Sequence, residues 1–134
     1  RWKKIMLVVG IPQYLQNITN AKVNLSTTGI TVLYTAPSDA DFNASIINSI
    51  IVHDDSNQGD TLTVTITDAS GNNFEIFEKS VSGHATEQLL TRDLVLNSGE
   101  ILKVQAGTAN RLNVVASIQE FAKTRITTSA ISGI

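Results

Sequence analysis

Four groups of side chains have types and spacings that chemistry could use. Asp54, Asp55 and Asp60 cluster within His53-Asp54-Asp55-Ser56-Asn57-Gln58-Gly59-Asp60, and hard cations such as calcium seek clustered carboxylate oxygens. The stretch lacks the Asp-x-Asp-x-Asp-Gly spacing with a terminal Glu, and aspartates beside Asn57 and Gly59 read as turn formers. His53 and His84 are the only histidines, and no third ligand at a zinc-binding spacing joins them. Ser82-Gly83-His84 places a serine beside a base, but without the Gly-x-Ser-x-Gly elbow or a strand-to-helix setting. Glu75 and Glu78 could pair as glycosidase carboxylates, yet they fall on a strand whose outer face must be polar in any case. The residue types therefore predict no catalytic residue, no cofactor-binding residue and no metal ligand.

Aromatic residues make up 5% of the chain, too few for a platform of coplanar rings of the kind that binds glycan or single-stranded nucleic acid. Tyr34, Phe42, Phe74 and Phe77 lie in or near apolar runs and are expected in a core. Trp2 stands apart among cations, where it either anchors against a neighbouring subunit or folds back on its own domain.

The elements that would position these residues are strands. Thr61-Leu62-Thr63-Val64-Thr65-Ile66-Thr67-Asp68 alternates without a break, the period of a pleated strand. Asp68-Ala69-Ser70-Gly71-Asn72-Asn73 is turn chemistry, and Phe74-Glu75-Ile76 resumes the alternation. Lys22 to Ser26, Ile30 to Thr35, Glu87 to Thr91, Leu94 to Leu96, Leu102 to Ala106 and Leu112 to Ile118 read the same way, with turn signals such as Ala36-Pro37-Ser38-Asp39 between them. Ala44 to Val52 carries β-branched residues on both faces and is expected to be a strand buried on both sides. Gln13-Tyr14-Leu15-Gln16-Asn17 reads as a polar connector. Strands with turns at this spacing indicate an all-β sandwich or barrel.

Length allows one domain with a real core. With no cysteine there is no disulfide framework. A net charge of −2 argues against a nucleic-acid phosphate binder. The apolar run Ile5-Met6-Leu7-Val8-Val9 is short both for a signal-peptide core, which needs about seven residues or more, and for a membrane span of roughly twenty. It is expected to be a strand or arm, and the absence of an initiator methionine implies that something upstream was removed or is unseen.

Val32-Leu33-Tyr34-Thr35-Ala36-Pro37-Ser38 followed by Ile46-Ile47-Asn48-Ser49-Ile50-Ile51-Val52 resembles a pattern of tailed-phage virion proteins. The Leu62 to Ile66 strand and the Leu94 to Ala106 segment, a "LVLxxGexLxVxA" pattern, continue it, and the strand Leu112 to Glu120 closes it. The resemblance spans roughly residues 30–121. It implies a β-sandwich of the kind used in small capsid-decorating, neck and tail-associated proteins, and brings no functional residue with it.

The expectation is a single antiparallel β-sandwich of about eight strands, jelly-roll or immunoglobulin-like, over residues 21–122. Extended arms at residues 1–20 and 123–134 flank it. Leu62, Val64, Ile66, Leu102, Val104, Leu112, Val114 and Ala116 are expected to face inward. The implied role is a non-enzymatic virion component, foremost a capsid decoration or cement protein. The alternatives are a neck or tail protein, or a fibre or adhesin module recognising host-surface glycan. Its partners would be other virion proteins and copies of itself, most plausibly in a trimer, with no nucleic acid and no membrane. Subunit contacts are assigned to the arms: Arg1, Trp2, Lys3, Lys4, Lys123, Arg125, Ile126 and Ile131.

Overall fold

The computed structural model describes residues 15–123. Nine strands follow one another: β1 (Leu15–Asn24), β2 (Thr31–Thr35), β3 (Phe42–Asp54), β4 (Asp60–Thr67), β5 (Asn73–Val81), β6 (Thr86–Gln88), β7 (Leu94–Asn97), β8 (Ile101–Ala106) and β9 (Leu112–Ala122). They form two antiparallel sheets. One has the order β1-β9-β3-β6, with β7 also paired to β3; the other has the order β2-β8-β4-β5.

β6 and β7 occupy successive stretches of the same flank of β3, at Ile51 to His53 and at Ala44 to Ile47. Together they fill one strand position. The remaining pairings, β1 with β9, β2 with β8, and β4 with β5, are those of one long hairpin rolled into two sheets. That is the jelly roll, and it decides between the two sandwich types that the alternation allowed. The sixth position breaks for a visible reason: the Gln88 side-chain oxygen accepts from the backbone N–H of Ile50 (3.0 Å) and of Leu90 (3.2 Å). It thereby takes the place of a ladder carbonyl. The strand expected to run from Glu87 to Thr91 ends at Gln88, and Leu89 turns into the core.

The eight residues expected to face inward are all buried. Each side chain of this size removed from water contributes about 1.5–3 kcal/mol, and together they join the sheets into one apolar core with Leu25, Phe42, Ile47, Ile50, Val52, Leu96 and Ile118. The β4–β5 turn forms as its residue types require. Asp68 Oδ1 accepts from the N–H of Ser70 and of Asn72 (both 2.9 Å), and Gly71 takes φ +90°, where a side chain would be strained.

Three expectations are corrected. The connector proposed at Gln13 to Asn17 gives way at Leu15, where β1 begins and pairs with Phe121. Its Gln16, Asn17 and Asn20 are polar because β1 is an edge strand, so the sandwich starts earlier than residue 21. β3 is not buried on both sides. Register shifts between Phe42 and Ala44 and between Ile47 and Ser49 break the strict alternation, so Ile47, Ile50 and Val52 face in while Ile51 stays exposed. Among the aromatics, Phe42 is in the core and Tyr34 and Phe77 pack against it, but Phe74 is 53% exposed.

Candidate assembly interface

The residues that could have carried chemistry are held in separate local hydrogen bonds, although the Asp54–Ser56 loop and the Ser82–His84 loop lie against each other. Asp54 is buried, and its Oδ1 accepts from the Ser56 N–H (2.7 Å) and hydroxyl (2.6 Å), while its Oδ2 has no protein partner. Asp55 instead accepts from Asn113 (3.3 Å), and Asp60 from the Thr108 N–H (2.9 Å). Among the described residues no group of three acidic or histidine side chains could hold a metal ion. His53 Nδ1 shares a hydrogen bond with Thr86 (2.8 Å). His84 sits at φ 61° with its N–H donating to Ser56 O (2.9 Å), as one loop stacks on another. Gly83 makes that stacking possible: a Cβ there would lie 2.5 Å from the Asn57 carbonyl carbon. Glu75 and Glu78 lie on edge strand β5, opposite Thr65 and Thr63, and both are exposed.

The two sheets present unlike outer faces. On the β2-β8-β4-β5 sheet, the row Val32–Lys103–Thr65–Glu75 and the row Gln105–Thr63–Glu78 mix charge and hydroxyl. On the other sheet, one row across the strands reads Ile18–Gln119–Ile46–Val95. The next reads Asn20–Ser117–Ser49, and the one after it Lys22–Val115–Ile51–Gln88. Lys22 is the one charge in these three rows. Ile18 is 70% exposed, and Val95, Ile51 and Val115 also stand out to solvent. Pleating alone sends every second side chain outward, but it does not require those side chains to be aliphatic. Exposed aliphatic side chains at Ile18, Val95, Ile51 and Val115, on a face with one charge in three rows, fit a surface that meets protein.

One end of this sheet is also where the chain enters and leaves. Leu15, the first residue of β1, lies opposite Phe121 of β9, and the Lys123 N–H donates to Asp41 O (2.7 Å). At that end the two sheets are tied by side chains. Tyr34 on β2 donates its hydroxyl proton to Glu120 Oε2 on β9, and its oxygen, so committed, accepts from Ser45 on β3 (2.7 Å). Asn17 on β1 donates to the other Glu120 oxygen (3.2 Å). Burial, the hydrogen bond to Glu120 and that carboxylate's charge hold the Tyr34 hydroxyl well above the usual tyrosine range, with Ser45 pulling the other way. No sequence pattern announces this cluster, because its members are 11 and 86 positions apart. Of the residues assigned to subunit contacts, Lys123 is described and exposed. Arg1, Trp2, Lys3, Lys4, Arg125, Ile126 and Ile131 lie outside the described residues.

No protein-family model matches the chain, and no curated protein matches it. Solved structures do. A chain of the acid-stable capsid of Helicobacter pylori bacteriophage KHP30 is 12% identical, with a TM-score of 0.54 over 80% of this chain and 90% of that one. A Bacillus endospore appendage protein, from a family of disulfide-linked pili, is 10% identical over 78% and 88% at a TM-score of 0.48. The globular domain of zebrafish complement 1qA is 16% identical over 82% and 99% at 0.41. The first likeness shows the fold alone, and nothing further rests on the other two.

Proposed function

We propose that the protein is a non-enzymatic structural component of a phage particle, and that its station is the capsid surface, as a decoration or cement subunit. The observation that carries the reading is the jelly roll matched across nine-tenths of a phage capsid chain, joined to a sheet face that exposes Ile18, Val95, Ile51 and Val115 and carries one charge in three rows. The segments flanking the described residues and the aliphatic face would hold the subunit to its neighbours, since affinity at such contacts comes from a few desolvated apolar anchors.

The test is the particle itself. Purified virions should contain the chain in stoichiometric amount, and density maps should place its sandwich on the outer shell with the β1-β9-β3 sheet against another subunit. Density at the neck or tail would move the station, and absence from virions would end the reading. One observation favours a second reading, a module that binds host-surface glycan: Phe74 offers an exposed ring beside the polar Asn73 and Glu75. Glycan-array binding abolished by Phe74→Ala would establish it. Turnover of any substrate that is lost with His84→Ala would replace both readings with an enzyme.

A further inference from the structure

The four edges of the two sheets are guarded unequally. β5 carries Glu75, Glu78 and Lys79, β6 and β7 are three and four residues long, and β2 has five residues with a register shift. β1 differs in length and charge, and its own register shift is confined to its first residues, between Leu15 and Asn17. It runs for 10 residues with a single charge, Lys22, and no proline, and among the described strands its sole ladder is with β9. Long, uncharged edges recruit strands from other chains, which is why free monomers blunt them. Ile18, at 70% exposure, stands on this strand at the end of the row that continues through Gln119, Ile46 and Val95.

Charge is divided along the chain in a way that selects the partner. All 12 acidic residues lie between Asp39 and Glu120, whereas residues 1–14 and 123–134 contain no acid and five of the ten cations, Arg1, Lys3, Lys4, Lys123 and Arg125. Residues 15–122 thus set five cations against 12 acids, a net −7, and the flanks carry +5. Two bodies repel each other, while a flank of one copy and the body of another attract. Reach is sufficient. Both flanks join the sheet at the corner where Leu15 faces Phe121, and the five residues 10–14 that tether residues 5–9 to Leu15 extend up to about 17 Å, comparable with a four-stranded sheet roughly 15–20 Å wide.

Building on the particle-subunit reading, we propose that the open edge of β1 accepts residues 5–9, Ile5-Met6-Leu7-Val8-Val9, of a second copy as an added strand. Main-chain hydrogen bonds give such an addition its affinity, and side chains give it register. The aliphatic run of the donor lies along Ile18, and Arg1, Lys3 and Lys4 beside it meet the negative body. Reciprocal donation makes a two-fold dimer, and cyclic donation a ring.

The test uses the full chain with no other protein. Sedimentation velocity from about 1 to about 100 µM should show association that follows mass action. It should weaken by about tenfold or more between roughly 50 and 500 mM salt, as screening shortens the reach of the flanking charges. Leu7→Asp damages the donor and Ile18→Lys the acceptor. Ile18 is largely exposed, so Ile18→Lys should leave the melting temperature unchanged at concentrations low enough that the wild type is dissociated. Each variant should weaken association by about tenfold or more, and an equimolar mixture, which retains one intact donor and one intact edge, should form a heterodimer and nothing larger. A monomer at every concentration overturns the proposal, as does association indifferent to both variants. So does a monomer whose outward β1 amides resist hydrogen exchange until Leu7→Asp exposes them, because the strand is then the copy's own. These outcomes are read on pure protein, and the particle reading on virions, so either can fail alone.

Discussion

Tyr34→Phe removes one oxygen and, with it, two hydrogen bonds that join the two sheets. The hydroxyl ties β2 of one sheet to β9 and β3 of the other through Glu120 and Ser45. A hydrogen bond to a charged group contributes about 1.5–3 kcal/mol and a neutral one about 1. Ser45 is fully buried, so losing its acceptor there is not recovered by water. Tyr34 and Glu120 are only partly buried, which places the sum at the lower end, about 2–3 kcal/mol. A chain of 134 residues unfolds with about 0.3 kcal/mol per kelvin of entropy, so the melting temperature should fall by about 7–10 °C. Combined with Glu120→Ala in a double-mutant cycle, the pair should show a coupling of about 1–2 kcal/mol. The raised ionisation of Tyr34 adds a signature in pH. The folded state holds the tyrosine proton more tightly than the unfolded state does. Its contribution is therefore complete below the ordinary tyrosine value near 10 and is lost as pH climbs above it. Wild type should lose that stability in alkali, and Tyr34→Phe should have none of it to lose. Denaturant melts at pH 7 and pH 11 make the comparison. A Tyr34→Phe protein within about 0.5 kcal/mol of wild type, with no coupling to Glu120, would refute the account of this cluster.

Val64→Asp should abolish the fold. It forfeits about 1.5–3 kcal/mol of burial and buries a carboxylate at a further cost of several kcal/mol, at a position of 0% exposure between Val104 and Phe77. Thr63→Asp, one residue away on the outer face beside Gln105 and Glu78, should cost at most about 1 kcal/mol by like-charge opposition, and circular dichroism separates the two. Asp68→Ala should lower the melting temperature at neutral pH. Hydrogen bonds from Asn72, backbone first and then side chain, hold the Asp68 carboxyl below its ordinary value, so the difference from wild type should vanish as acid protonates it. Gly83→Ala should be destabilising, and Gly71→Ala destabilising by strain alone, because a Cβ at Gly83 strikes the Asn57 backbone while one at Gly71 meets nothing within 4 Å. Deleting residues 124–134 should leave the melting temperature near that of wild type and reduce incorporation into particles, and normal incorporation would place attachment on the sheets instead.

The strands were readable where one face is buried and the other wet, because a period of two then appears directly in the residue types. β4, β8 and the first part of β9 are of that kind. Reading failed where a local event broke the period. Register shifts in β3 turned an apolar run with no clear parity into a one-sided strand, and the Gln88 side chain cut one strand position in two. β1 was hidden for another reason. Its ladder with β9 is main-chain, and its residues Gln16, Asn17, Asn20 and Asn24 look like a connector to any rule based on side chains. An aromatic in an alternating run reads as inward, and Phe74 does lie opposite the buried Ile66, but it stands near the start of edge strand β5, with no further described strand beside it to cover the ring.

What the sequence could not contain was the comparison between faces. Ile18, Ile46 and Val95 are 28 and 49 positions apart along the chain, and only the register of β1, β9, β3 and β7 makes them one row. A catalytic site also depends on distant residues meeting, but its members have rare types that draw attention one by one. An assembly surface is built from common aliphatic residues, each unremarkable as a single exposed side chain, and gains meaning when several share a face that lacks charge. The same holds for electrostatics. A net charge of −2 describes neither the −7 of the body nor the +5 of the flanks, and a protein so divided meets its own copies differently from one with the same total spread evenly. With one charge, Lys22, in three rows of one outer face, and Lys103, Glu75 and Glu78 among the threonines of the other, the two faces of this sandwich differ in charge before any partner is present.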